Sequence, residues 1–326
     1  MPANLTADFK KARQRFQAAN TPEEKLAALE EMLATIPKHK GTDKMQADIK
    51  RRIAKLRETG SGVRKGQRPG YDHIPKEGAG QVVLIGSPNC GKSSLLAAVT
   101  NAKPEIASYP FSTQVPVPGM MGFEDVSIQL IDLPPLTDDY TEGWVYGLIR
   151  AADLALLLIE SPEAELAVAH IDEILHLLED HHLSLAALGE PTVEDERVRE
   201  IPCLVVFSKA DLVVDEAGAA LDETPFDAIV TSSVSGTGLE RLRREVFDAL
   251  RIVRIYTKLP GHKPDMEEPY TLSIGSTVLD AVRTVHRDFA DQLKYVRIWG
   301  SGRFDGQQVP SDHRLEDGDI IEIHVG

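Results

Sequence analysis

Gly86-Ser87-Pro88-Asn89-Cys90-Gly91-Lys92-Ser93 stands between the apolar run Val82–Ile85 and the helix-forming stretch Ser94-Leu95-Leu96-Ala97-Ala98-Val99. The eight residues fit G-x-x-x-x-G-K-[ST], and a buried strand before them with a helix after is the context that motif requires. Glycines let the backbone pass close to phosphate oxygens, while successive N–H groups and the helix N-terminus supply positive potential. The pattern predicts a phosphate-binding loop contacted through Asn89, Cys90, Gly91, Lys92, Ser93 and Ser94. Lys92 would bridge the outer phosphates and the Ser93 hydroxyl would ligate Mg²⁺.

Outward from this loop, short apolar runs alternate with helical stretches. Val82–Ile85, Ile128–Ile131, Leu154–Ile159, Leu204–Phe207 and Ala228–Val230 read as strands buried on both faces. Helices are expected at about 92–101, 143–151, 162–180 and 238–249, and the acidic segment 183–200 with Pro191 as a loop. This pattern means a mostly parallel sheet covered by helices, a doubly wound α/β domain. Three features place chemistry at the strand ends. Asp132 closes one strand in Asp132-Leu133-Pro134-Pro135, where a Mg²⁺-organising carboxylate belongs. Ser208-Lys209-Ala210-Asp211 follows another, and Asp211 could accept both guanine N1–H and the exocyclic amine. A site built for those donors leaves Asp211 unpaired against adenine, so the expected ligand is a guanine nucleotide. Ser232-Ser233-Val234, before Gly236-Thr237-Gly238-Leu239, could present N–H groups to the guanine oxygen.

Two further segments flank this region. Residues 22–36 carry Leu26, Leu29, Met32, Leu33 and Ile36 at helical spacing after Thr21-Pro22-Glu23-Glu24, an N-cap with Pro at N1. A second helix is expected from about Asp43 to Arg57, which would make a helical hairpin. Gly60 to Gly70 has the glycine density and charge of a linker. After Arg251 come β-rich runs at Val253–Tyr256, Tyr270–Ser273, Tyr295–Trp299 and Ile320–Val325 around one helical stretch, Val278–His286, a small module of the β-grasp kind. The expected division is residues 1–70, 71–250 and 251–326.

Charge is divided unevenly. Of a net −15, residues 1–76 carry 17 Lys+Arg against 9 Asp+Glu, residues 77–250 carry 9 against 30, and residues 251–326 carry 10 against 12. The basic N-terminal segment is therefore the one electrostatic footprint for RNA, or else a solvated helical surface. No apolar run is long enough to span a bilayer, the N-terminus has no h-region, and only Cys90 and Cys203 occur, so a reducing, cytoplasmic setting without disulfides is expected. His170, His176, His181 and His182 fall in or just after one helix at irregular spacing, which reads as a solvated face rather than a metal site.

Ala107-Ser108-Tyr109-Pro110-Phe111-Ser112-Thr113, Arg254-Ile255-Tyr256-Thr257-Lys258, Asp312 to Asp319, and Lys38 to Lys44 with the helix after them carry a resemblance. The chain resembles the Obg/DRG group of GTPases, most closely the developmentally regulated GTP-binding proteins that end in a TGS domain. The resemblance implies a P-loop GTPase domain with an N-terminal helical hairpin and a β-grasp TGS domain. It also implies a slow, Mg²⁺-dependent GTPase acting as a translation or ribosome-associated switch, engaging ribosome or RNA through residues 1–76 and the TGS module. By it, Thr113 joins Ser93 as a Mg²⁺ ligand, with Asp132 acting through water. The chain departs from the family at three points and from Ras-like enzymes at one. Pro135 replaces the glycine of D-x-P-G and has no N–H to offer a γ-phosphate. Leu136 stands where other GTPases carry a water-orienting glutamine, Ser208 stands for the usual asparagine of the base motif, and the segment 183–200 is too short to hold the family's inserted domain. Asn89 either structures the loop or helps hold K⁺ beside the phosphates. With Pro135 present, a guanine-nucleotide sensor with little or no hydrolysis is the alternative.

Overall fold

A computed structural model describes residues 73–102, 115–137, 141–160, 164–189, 197–212 and 224–326, and before them 9, 11–12, 15–16, 22–36, 49–50 and 52. The chain separates into two compact units, Met1–Gly70 and Tyr71–Gly326.

In the first unit, helix α1 (Pro22–Thr35) begins on the proline that the spacing places at N1. Leu29, Met32 and Ile36, three to four residues apart, bury one stripe against Phe9, Ala12 and Ile49. Ile49, Lys50 and Arg52 are helical, and the rest of the expected second helix, the stretch 38–44 and the linker 60–70 lie outside the described residues. Phe9, Lys11, Ala12, Arg15 and Phe16 are also helical, a segment the apolar spacing did not single out.

The second unit opens with β1 (Gln81–Gly86), α2 (Lys92–Val99), β2 (Val117–Phe123), β3 (Val126–Asp132), α3 (Gly143–Ala151), β4 (Leu154–Ile159) and α4 (Ala164–Glu179). It continues with β5 (Leu183–Ala186), β6 (Arg199–Phe207), β7 (Ala228–Val230) and α5 (Leu239–Ala249). The sheet order is β2-β3-β1-β4-β6, with β5 and β7 both pairing β6. Every pairing is parallel except β2 with β3. β1 and β4 are buried at every position, as strands covered on both faces must be. One apolar layer packs α3 and α4 on the sheet, and the other packs α2 and α5.

Two strands escape the sequence pattern. The segment 183–200, expected as a loop, contains β5 and the first residues of β6. Leu183 is fully buried in the core, and β5 pairs with Arg199 to Pro202, but the acidic stretch between the two dominates the local composition. β2 contains Pro118, Gly119 and Gly122, poor strand formers that an edge position tolerates. A Cβ at Gly119 would stand 2.8 Å from the Thr100 hydroxyl, so a side chain is excluded where β2 crosses the end of α2.

The C-terminal portion forms β8 (Ile252–Thr257), β9 (Asp265–Ser273), α6 (Val278–Val285), α7 (Arg287–Asp291), β10 (Leu293–Trp299), β11 (Gln307–Val309) and β12 (Asp319–Val325). The order is β11-β10-β12-β8-β9, with only β12 and β8 parallel, and α6 covers one face through Val278, Ala281 and Val282. Thr277 and Asp280 close a capping box that starts α6. This is the expected β-grasp arrangement, with β11 and the short α7 added.

Candidate nucleotide site

Gly86 ends β1 at φ +146°, and a Cβ there would stand 2.5 Å from the Leu158 carbonyl oxygen and 2.9 Å from Cys90 Sγ. Only glycine lets the chain leave the sheet at this point. The loop then turns through left-handed Asn89 (φ 65°) and Gly91 (φ 97°), and Gly91 is the N-cap of α2 with no side-chain cap. The first N–H groups of α2 thus face the loop without a side-chain acceptor of their own, the arrangement that favours an anion. Lys92 is buried, and its Nζ donates to the carbonyl oxygens of Gly86 and Ser87, each at 3.0 Å. Its ammonium therefore lies inside the curl of the loop.

Ser93, one residue on, donates from Oγ to Asp132 Oδ2 at 2.5 Å. Asp132 is fully buried at the end of β3, level with Leu84 of β1. The loop hydroxyl and the strand carboxylate predicted to organise Mg²⁺ are thus in contact. Beyond Asp132 the backbone is tied back: Leu136 N donates to the Gly86 carbonyl at 3.2 Å. Leu133 and Leu136 are buried in the core, so Leu136 offers the site neither a polar group nor exposure.

The base motif meets the same loop. Ser208 donates from Oγ to the Cys90 carbonyl at 2.6 Å, which links the end of β6 to the phosphate loop. Lys209 adopts a left-handed φ of 60°, and its Nζ pairs with Glu160 at 2.5 Å. Asp211 Oδ1 accepts from Ser232 Oγ at 2.5 Å, and Ser232 Oγ in turn accepts from the N–H groups of Val234 and Ser235. Ser232 is fully buried, whereas Val234 is 85% exposed at the tip of the loop. Gly238, whose Cβ would meet the Val230 carbonyl at 2.1 Å, closes that loop into α5.

The structure therefore brings together Asn89 to Ser94 on the loop, Asp132 opposite Ser93, and Ser208 against Cys90, and it couples Asp211 to Ser232. Thr113 lies outside the described residues. Sequence reasoning missed Glu160, whose signal was its place immediately after β4, and it did not foresee that Ser208 bonds the Cys90 carbonyl.

Known proteins match the sequence that builds this site. A family model described as a 50S ribosome-binding GTPase covers residues 81–209, and one for the TGS domain covers residues 253–325. An uncharacterized GTP-binding protein of Methanocaldococcus jannaschii is 31% identical, over 93% of this chain and 93% of its own length. Developmentally-regulated G-protein 1 of Arabidopsis thaliana is 30% identical, over 92% of this chain and 90% of its own. The chain belongs to the developmentally regulated GTP-binding proteins. It is a GTP-binding protein with a P-loop GTPase domain and a C-terminal TGS domain. GTP-binding protein 1 of Schizosaccharomyces pombe, 28% identical, is likewise matched over 92% of this chain and 98% of its own length.

Proposed function

We propose that the chain is a slow, Mg²⁺-dependent GTPase that serves as a translation- or ribosome-associated switch in the cytoplasm. The observation that carries this reading is the Ser93–Asp132 contact one residue after Lys92: a hydroxyl and a carboxylate meet where a metal would sit, and the lysine ammonium lies within the phosphate loop. Hard oxygen donors of this kind suit Mg²⁺, which would bridge and neutralise phosphate oxygens. Ser93 and Asp132, with Thr113, would hold it, Asp132 through water. Lys92 and the α2 N-terminus fix the phosphates, while Asp211, oriented by Ser232, selects guanine together with Ser208, Lys209, Ser233 and Val234. Engagement of RNA or ribosome would fall to the basic residues 1–76 and the TGS module. The working domain limits are 1–70, 71–250 and 251–326.

Two observations favour the alternative, a sensor with little hydrolysis. Pro135 has no N–H to offer, and Leu136 is buried. Asn89 bears on the same question. It is exposed on the loop, free of the sheet, and its side chain could share a K⁺ with the phosphates to stabilise transition-state charge. The deciding experiment is single-turnover GTP hydrolysis in KCl and in NaCl, with and without ribosomes. Turnover by wild type in KCl supports the switch. An inert wild type that Pro135→Gly activates supports the sensor, and equal rates in the two salts remove the K⁺ role.

A further inference from the structure

The turn between β2 and β3 is chemically unusual. Phe123 pairs with Val126, so Glu124 and Asp125 alone make a two-residue hairpin loop. Glu124 stands at φ +50°, at the first loop position, where glycine or asparagine is favoured. A charged residue held in that conformation points to a task for its side chain. Both carboxylates meet Arg254, which lies in β8 of the TGS module. Its Nη1 donates to Glu124 Oε2 at 2.5 Å and to Asp125 Oδ1 at 2.8 Å. Tyr256, also from β8, donates its hydroxyl to the other Asp125 oxygen. Arg254 is itself fixed: Asp317 accepts from its Nε at 3.0 Å and its Nη2 at 2.6 Å, and Phe247 of α5 lies 5.1 Å below the guanidinium. The Arg254 side chain is 15% exposed.

The opposite end of the same hairpin is the nucleotide site. Register pairs Val117 with Asp132, and Val117 follows Thr113 by four residues in the sequence. Among the described residues β2 is an edge strand whose one strand partner is β3. Arg243 of α5 donates to the Gly122 carbonyl at 3.0 Å and Met121 bridges Thr100, so α2 and α5 hold the middle of β2 while the Arg254 network holds the turn, about 20 Å from Val117 at ~3.3 Å per residue. We infer that Arg254 is a positioning residue for the nucleotide site: by gripping the Glu124–Asp125 turn, the TGS module sets the hairpin that presents Asp132 and leads from Thr113. The inference rests on the proposed Mg²⁺–GTP reading, in which those two residues help hold the Mg²⁺ that would bridge the outer phosphates. It assigns the TGS module a part in distinguishing GTP from GDP, because the groups proposed to hold diphosphate and base lie in the phosphate loop, at the start of α2 and after β6 and β7, away from the hairpin.

The test is the affinity of the full chain for a non-hydrolysable GTP analogue and for GDP, both with Mg²⁺, in wild type, Arg254→Ala, Arg254→Lys and Asp125→Asn, together with amide exchange across residues 117–132. Arg254→Ala should weaken the analogue by about fivefold or more, the lower end of ordinary coupling between sites. GDP affinity should stay within about twofold, and exchange in the hairpin should rise. Arg254→Lys should recover only part of the loss, since an ammonium lacks the planar fork. Equal losses for both nucleotides, or no loss with exchange unchanged, would overturn the coupling alone. A wild type that binds neither nucleotide would overturn the proposed function and the coupling with it, and faster hairpin exchange in Arg254→Ala would then identify the clamp as a structural latch only.

Discussion

The two ends of the β2–β3 hairpin are held by different physics. At one end Asp132 is fully buried beside a loop built from backbone N–H groups, a lysine folded inward and glycines that admit no side chain. At the other, Glu124 and Asp125 meet Arg254 in a side-chain network still partly open to water, with Glu124 51% exposed. The first end is all geometry, so loss of one group there should abolish a function. The second is charge held by charge, so it should be adjustable by pH and by substitution without unfolding the domain.

The largest expected effect separates the ends cleanly. Lys92→Ala should lower GDP affinity by about 100-fold or more, as hydrogen bonds to charged groups contribute roughly 1.5–3 kcal/mol each. Titration calorimetry measures this, and amide exchange in the Glu124–Asp125 turn should not change. A smaller effect is expected where the base motif meets the loop. Ser208→Ala removes a bond to a buried carbonyl and should cost GDP binding roughly 1–2 kcal/mol, while Ser208→Asn should restore most of it. If Ser208→Ala is silent, the link to Cys90 does not position the base.

The smallest effect is pH-dependent and belongs to the clamp. Burial works against ionisation of Asp125, but the hydrogen bonds from Tyr256 and Arg254 outweigh it and hold the carboxyl below its ordinary range. The Arg254 hydrogen bonds lower Asp317 in the same direction, against the opposing effect of burial. Carboxyls whose folded pKa is depressed contribute stability that is complete above the unfolded value, about 3.9, and is lost as pH falls through the folded one. The stability difference between wild type and Arg254→Ala, from urea unfolding, should therefore be flat from about pH 5 to 8 and shrink below about pH 4. A difference that already shrinks near neutrality would mean another group titrates at the clamp.

How much of this was legible in the sequence follows from the same contrast. Val82 to Ser93 is contiguous, so an apolar run, two glycines and a lysine at fixed spacing announced both fold and site. Asp132 and Asp211 could be placed because each follows a buried strand. The bond between Arg254 and Asp125 joins residues 129 positions apart, and no spacing rule reaches that far. β2 was missed because its proline and glycines are permitted by an edge position, a fact of tertiary structure. β5 was hidden because the acidic stretch after it outweighs four residues of strand.

The central claim is that the loop Gly86–Ser93 and Asp211 together hold a guanine nucleotide. It is tested most directly by the affinities of GDP, ADP and xanthosine diphosphate for wild type and for Asp211→Asn. Xanthine carries an oxygen where guanine carries its amine, so an amide at position 211 can donate to it, whereas a carboxylate cannot. Wild type should bind GDP far more tightly than ADP, and Asp211→Asn should lose GDP and gain xanthosine diphosphate. Equal binding of ADP and GDP by wild type, or an Asp211→Asn variant that keeps its GDP affinity, would contradict the account.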